Sequence, residues 1–298
     1  MTGEFTGRGA VVTGAVLGIG RATALALARA GASVLAVDLD AAVLDLPRDL
    51  PRDLPREVRR EHERPGAPHS AGGVGEPAAL TAVRVDLADA DQLGTLCRRI
   101  QHEHPADILV NCAAAYPPGG LFDSRLADWL RVLGVNVVAA AELARALAAR
   151  LVREGRPGAI VNVGSVQELL PLPGYLAYAT SKGALSALTR ALAVELGPHR
   201  IRANLVAPST VNSETTAASL GGGWGDGEGA QAPPTLLQRA GTPEEVADAI
   251  CYLASERASF MTGAIVAVDG GRRISRRYDA QVDPAVGVPG GAGGRAAR

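Results

Sequence analysis

Lysine is almost missing from this chain: of its 30 basic residues 29 are arginine, and Lys182 stands alone. Aromatic residues make up only 3% against a hydrophobic content of 47%, so any core is built from Ala, Val and Leu. The three cysteines, Cys97, Cys112 and Cys251, are odd in number and far apart, and five histidines are scattered among them. That pattern excludes a disulfide framework, argues against a structural zinc and fits a reducing compartment. A formal net charge of −1 gives no global field for nucleic acid or an anionic membrane. No uninterrupted apolar run approaches the roughly 18–20 residues of a membrane span, and Met1–Gly9 carries no apolar targeting core. The expectation is a cytoplasmic protein without membrane or nucleic-acid partners.

What is present alternates. Apolar runs at Gly9–Thr13, Ser33–Asp38, Leu80–Val85, Ile108–Val110, Ala159–Val163, Ile201–Val206 and Ile265–Val268 read as buried strands. Helical stretches lie between them: Ile19–Ala30, Asp89–His102, Ser124–Arg153, Tyr178–Leu196 and Pro243–Leu253. The last starts with Thr242 as cap, Pro243 in the first turn and Glu245 three residues on. Strands alternating with helices predict an α/β fold: a single-domain, Rossmann-type, doubly wound parallel sheet of about seven strands with helices on both faces.

The predicted domain covers residues 1–271, and three segments stand apart from it. Residues 45–78 hold a threefold Asp-Leu-Pro-Arg repeat starting at Asp45, and proline at every fourth position opposes a regular helix, so a solvated insertion is expected. Residues 209–238, with six glycines around Trp224, read as a mobile substrate lid. Residues 272–298, with six arginines against two acids, read as a loose tail.

Two local patterns carry chemistry. Thr13-Gly14-Ala15-Val16-Leu17-Gly18-Ile19-Gly20 joins the first strand to the first helix, where glycine permits a sharp turn and helix N–H groups meet a pyrophosphate. Asp38 closes the second strand eighteen residues after Gly20, placed to bond the ribose hydroxyls and to repel a 2′-phosphate. Neither Leu17 nor Leu39 offers a cation for such a phosphate, so the pattern favours NAD(H) and leaves NADP(H) as the alternative. A plain strand-ending turn residue would explain Asp38 equally simply. The second pattern is Tyr178 with Lys182 four residues later, on one helical face. There the ammonium is expected to draw the phenol down from roughly 10 toward neutrality, making a proton-transfer catalyst.

With Asp86-Leu87, Asn111-Cys112-Ala113-Ala114, Asn136, Ser165 and Val268-Asp269-Gly270-Gly271 added, the chain resembles the classical short-chain dehydrogenases/reductases from about Arg8 to Gly271. Ser165 precedes Tyr178 by 13 residues, the interval that family places between its catalytic serine and tyrosine. The resemblance implies hydride transfer between a nicotinamide cofactor and a secondary alcohol or ketone. Tyr178 would be the general acid/base, Lys182 would depress its pKa and reach the nicotinamide ribose, and Ser165 would bond the substrate oxygen. Asn136 would hold a water linking Lys182 to solvent. Gly14, Leu17, Gly18, Ile19, Gly20, Asp38, Leu39, Asp86, Leu87, Asn111, Ala113, Pro208, Val211 and Ser213 would make up the rest of the cofactor site. Here Cys112 and Ala114 replace a usual Asn and Gly, and Pro208-Ser209 a usual Pro-Gly.

The resemblance also implies a homodimer or homotetramer paired through Val137–Val152 and Tyr178–Leu196. Specificity is expected from Gln167–Tyr175 and Val211–Leu237, with Leu169, Leu170, Leu172 and Trp224 as an apolar wall for a hydrophobic or cyclic alcohol. Two rivals remain open at this point: an NADPH-dependent ketoreductase of a biosynthetic or carrier-bound ketone, and a non-catalytic dinucleotide-sensing or scaffold protein.

Overall fold

The structure, a computed structural model, describes residues 3–49, 80–212 and 235–274. Within them seven strands form one sheet: β1 (Gly9–Thr13), β2 (Ser33–Asp38), β3 (Leu80–Arg84), β4 (Ile108–Asn111), β5 (Gly158–Val163), β6 (Ile201–Pro208) and β7 (Ile265–Val268). Their order is β3-β2-β1-β4-β5-β6-β7, and every pair is parallel. The direction of winding reverses between β1 and β4, which opens a crevice at the carboxyl ends of those strands.

Two-residue alternation divides the core. Ala10 and Val12 of β1 face one side with Val34 and Ala36 of β2, while Val11, Leu35 and Val37 face the other. The first side is covered by α1 (Gly18–Arg29) and α6 (Pro243–Ala254), whose Leu25, Leu27, Val246, Ile250 and Leu253 are buried there. The second is covered by α2 (Ala90–His102) and α4 (Ala139–Glu154) through Leu93, Leu96, Ile100, Leu143, Leu147 and Leu151. The α6 start follows its sequence signal: the Thr242 hydroxyl accepts from Glu245 N–H while the Glu245 carboxylate accepts from Thr242 N–H.

Before α4 comes α3 (Leu126–Leu133), joined to it by a π-helical turn at Gly134–Val138. The continuous helix Leu126–Glu154 is long and apolar enough to cross a membrane by length and composition. Its Leu143, Leu147 and Leu151 are fully buried against the sheet, as in the core helix of a globular domain. The last long helix, α5 (Leu176–Leu196), lies beside β6.

Three expectations about segments meet the structure differently. The predicted insertion begins inside a 3₁₀ helix, Ala41–Asp49, whose Leu46 is buried in the core with Val43. A short 3₁₀ helix is not the regular α-helix that the prolines of the repeat oppose. Residues 50–78 of that insertion, 213–234 of the predicted lid and 275–298 of the predicted tail lie outside the described residues. The start of the tail is packed rather than loose: Arg272 is buried and Arg273 is held in an ion pair.

Candidate active site

A cavity of about 1390 Å³ lies along the carboxyl ends of the strands. At one end are Gly14, Leu17, Gly18, Ile19 and Gly20 of the first turn, with Asp38, Leu39, Asp86 and Leu87. Ala113 lies in the middle. Ser165, Tyr178, Lys182, Pro208 and Val211 line the other end. Asn111 and Asn136 do not line it but sit behind its wall, and Ser213 lies outside the described residues.

The glycine turn is tight for a geometric reason. Gly14 has φ +69°, and a Cβ there would approach Ala113 N and Cα to 2.8 Å. A Cβ on Gly20 would lie 1.9 Å from the Gly14 carbonyl oxygen, so this glycine lets α1 start directly on the turn. Leu17, the N-cap of α1, makes no side-chain cap bond, so among the described residues no capping side chain satisfies the first amides of this twelve-residue helix. Open amides at a positive dipole end are a donor set suited to a pyrophosphate. Asp38 is pinned beside them: its carboxylate accepts from Val16 N–H at 2.9 Å and from Asp40 N–H at 3.1 Å. Glycine, open amides and an oriented carboxylate together fit a dinucleotide.

Two arginines of this end were not foreseen. Arg84 is paired in register with Asp38 across β2 and β3, lines the cavity and donates to the Leu39 carbonyl at 2.9 Å. Arg131 forms an exposed ion pair with Asp86 at 3.4 Å. The missed signal for Arg84 is its place as the last residue of β3, since strand ends line such crevices.

At the reaction end Ser165 follows β5 after one residue, Gly164. Its hydroxyl accepts from Gln167 N–H at 3.2 Å. Tyr178 is half-buried, and Tyr116 meets its ring edge-on with centroids 6.0 Å apart. Lys182 is 2% exposed; its ammonium lies 5.4 Å from the Tyr178 ring centroid and donates to the Val163 carbonyl at 2.7 Å.

The electrostatics correct one expectation. Burial pushes the Tyr178 hydroxyl up to about 12, against the downward pull of the Ser165 hydroxyl. Burial likewise lowers Lys182 to about 8. The ammonium sits over the ring and spends a hydrogen bond on Val163, so it does not bring the phenol toward neutrality among the chain's own groups. Cys112, also on the wall, is raised to about 12 by burial and is inert as a thiolate.

Behind the wall two polar clamps hold this geometry. Asn136 sits in the π turn, a type of helix distortion frequent at functional sites. Its amide donates to the Ala115 carbonyl and the Ser181 hydroxyl, both at 2.9 Å, and accepts from Ala115 N–H at 2.7 Å. The side chain expected to hold a water ties the segment after β4 to α5. In the second clamp Asn111 donates to Asn162 at 2.8 Å and Asn162 to Thr189 at 2.8 Å, linking β4, β5 and α5. Thr13 completes the support by accepting from Cys112 and Ala113 N–H, both at 3.1 Å.

This arrangement agrees with what the chain resembles. A family model described as enoyl-(acyl carrier protein) reductase matches residues 66–273. L-xylulose reductase of Bos taurus is 35% identical over 270 residues, covering 90% of this chain and 97% of the bovine protein. The (3R)-3-hydroxyacyl-CoA dehydrogenase of Canis lupus familiaris is 33% identical, over 88% of this chain and 95% of its own. Among solved structures, one titled a putative NAD(P)-dependent gluconate 5-dehydrogenase from Beutenbergia cavernae, with bound NADP at low occupancy, superposes with TM-score 0.76. It is 33% identical, over 91% of this chain and 98% of that one. The chain belongs to the short-chain dehydrogenase/reductase family.

Proposed function

We propose that this protein is a nicotinamide-dependent oxidoreductase interconverting a secondary alcohol and a ketone, its catalytic domain spanning residues 1–271. The observation that carries the reading is the convergence of Ser165, Tyr178 and Lys182 on one end of a cavity whose other end offers open α1 amides and Asp38. When bound, the nicotinamide supplies the hydride acceptor or donor. Ser165 donates a hydrogen bond to the substrate oxygen and stabilises charge that develops there. Tyr178 gives the proton in ketone reduction and takes it in alcohol oxidation. A phenol raised to about 12 is protonated through the neutral range, the form that ketone reduction requires, whereas alcohol oxidation requires the phenolate. Lys182 keeps a positive charge beneath the ring and has donors left for a ribose hydroxyl. Asn136 and the Asn111–Asn162–Thr189 chain position these groups without touching substrate.

Asp38 supports NAD(H), because a carboxylate fixed by two backbone amides would face a 2′-phosphate with like charge. A second reading, an NADPH-dependent ketoreductase, is favoured by Arg84 at the same end and by the NADP bound in the Beutenbergia cavernae structure. Self-association is supported by the exposed Leu126, Leu130 and Val138 of the long helix and by Val194 of α5.

The test is oxidation of NADH and NADPH, and reduction of NAD and NADP, across alcohols and ketones, with Tyr178→Phe beside the wild type. Loss of about 10²–10⁴-fold in turnover with nucleotide binding retained is expected. A Phe variant of near-normal rate would remove the acid/base assignment.

A further inference from the structure

Ser165 caps a single 3₁₀ turn, Val166–Glu168. The turn's own bonds run from Glu168 N–H to the Ser165 carbonyl at 3.2 Å and from Leu169 and Leu170 N–H to the Val166 carbonyl at 3.0 and 2.9 Å. Turns of this kind are short and poorly bonded, so contacts from outside decide where they lie. Beyond it Leu169 and Leu172 are exposed, on a stretch broken by Pro171 and Pro173. Glu168 behaves differently: its charged side chain is only 6% exposed.

Two elements converge on that carboxylate. From α5 the buried Ser186 hydroxyl donates to one oxygen, and from the segment after β7 the Arg273 guanidinium donates to the other at 3.0 Å. Tyr178, Lys182 and Ser186 follow one another at four-residue spacing, along one face of α5. The Ser186 bond therefore fastens the Ser165 turn to the stripe of helix that carries the phenol and the ammonium. Arg273 is set in turn by Asp269, whose carboxylate accepts from Gly271 and Arg273 N–H, both at 2.9 Å, and pairs with the guanidinium at 3.8 Å. Burial raises the Glu168 carboxyl, and the Arg273 charge opposes that shift in favour of the ionised form. None of Glu168, Ser186 and Arg273 is among the described residues that line the cavity.

Resting on the oxidoreductase reading above, we propose that Glu168 and Arg273 are positioning residues: their ion pair, joined to Ser186, sets the Ser165 hydroxyl against Tyr178 and Lys182 without touching substrate. Charge-assisted bonds from two elements to one buried carboxylate define a direction as well as a contact, which apolar packing of a three-residue turn does not. The segment after β7, expected as the start of a loose tail, thereby belongs to the framework of the active site.

The test runs on the full chain with NADH or NADPH and a ketone from the panel above, starting with cyclohexanone, ethyl acetoacetate and a ketopentose. Arg273→Met and Glu168→Gln are each expected to lower kcat by about tenfold or more while KM and nucleotide affinity move by less than about threefold, because a misplaced hydroxyl costs rate rather than binding. One guanidinium nitrogen reaches Glu168, so Arg273→Lys should recover kcat to within about threefold of wild type. The double variant should lose no more than the worse single, since both changes break one link. Hydrogen exchange of the nucleotide-loaded chain should quicken over residues 164–170 in both single variants and stay unchanged in β4. Glu168→Gln, close to glutamate in volume, carries the test if Arg273→Met does not fold. A kcat within about twofold of wild type in the single variants, losses that add in the double, or equal weakening of nucleotide binding would overturn the proposal. If the wild type turns over no alcohol or ketone, the oxidoreductase reading falls and exchange decides alone: quickened exchange keeps the clamp on the Ser165 turn, and unchanged exchange overturns it.

Discussion

The Lys182 ammonium lies 5.4 Å from the centre of the Tyr178 ring and is hydrogen-bonded to the Val163 carbonyl, so the chain's single lysine sits over the phenol as a buried point charge. A point charge that bonds one strand-end carbonyl at 2.7 Å and still has protons to offer a ribose occupies little volume. Guanidinium is wider and planar, and cannot fill both roles from the same place. Lys182→Arg is therefore expected to lose about 10²-fold in kcat, the scale of a general acid/base contribution. The check is steady-state kinetics with nucleotide affinity measured in parallel, and full activity in the Arg variant would show that the compact ammonium is not required.

The same burial has a thermodynamic consequence. Lys182 titrates at about 8 in the folded chain against 10.5 for a free lysine, so the folded state binds fewer protons between those values. Stability therefore rises as pH climbs from about 8 to 10.5, while below 8 the full cost of burying the charge is present, on the order of 3 kcal/mol. Lys182→Met removes that cost but leaves the Val163 carbonyl without its partner. The variant is expected to be more stable than wild type by about 1–3 kcal/mol at pH 7, with the advantage shrinking toward pH 10. Urea unfolding at both pH values, without added nucleotide, measures it; a gap constant with pH would contradict a depressed lysine.

Asn136 supports the site by a different route. Its side chain satisfies Ala115 N–H, the Ala115 carbonyl and the Ser181 hydroxyl, one residue before Lys182. Asn136→Ala leaves the Ala115 N–H and carbonyl without this partner behind the cavity wall, while the Ser181 hydroxyl keeps its bond to the Tyr178 carbonyl, at an expected cost of about 2–4 kcal/mol. Activity should fall as well, because α5 then holds Tyr178 and Lys182 less firmly. A variant with wild-type unfolding midpoint would mean that the π turn holds itself without the amide.

The strands were legible because a parallel sheet buried on both faces writes itself as short apolar runs, as at Ser33–Asp38. The glycine turn and the Ser165, Tyr178, Lys182 set were legible because order and spacing along one chain carry them. The clamps were not. Asn162 and Thr189 are polar residues inside apolar elements, and only packing shows that they join Asn111 in one buried chain. Leu46 looked solvated because it lies in the Asp-Leu-Pro-Arg repeat, yet its side chain reaches the core beside Val43. Arg272 and Arg273 merged with an arginine-rich stretch, and nothing local reveals that Glu168, more than a hundred residues earlier, fixes the second and leaves the first in the cavity. The phenol's upward shift was hidden for a similar reason: sequence gives the charge of a neighbour but not the depth of burial.

Cofactor choice rests on two opposed charges at the end of β2 and β3. The Asp38 carboxylate is held by Val16 and Asp40 N–H, whereas the exposed Arg84 side chain is anchored through one nitrogen to the Leu39 carbonyl and has donors to spare. Removing the carboxylate takes away like-charge repulsion and leaves the cation. Asp38→Ala is thus expected to raise the NADPH-to-NADH ratio of kcat/KM by about tenfold or more, a change of about 1.4 kcal/mol. Arg84→Ala should move the ratio the other way, and the double variant should fall between them if both residues act on the same phosphate. A ratio unmoved by Asp38→Ala would mean that the carboxylate only fastens the glycine turn. A ratio unmoved by Arg84→Ala would leave the second reading without its cation.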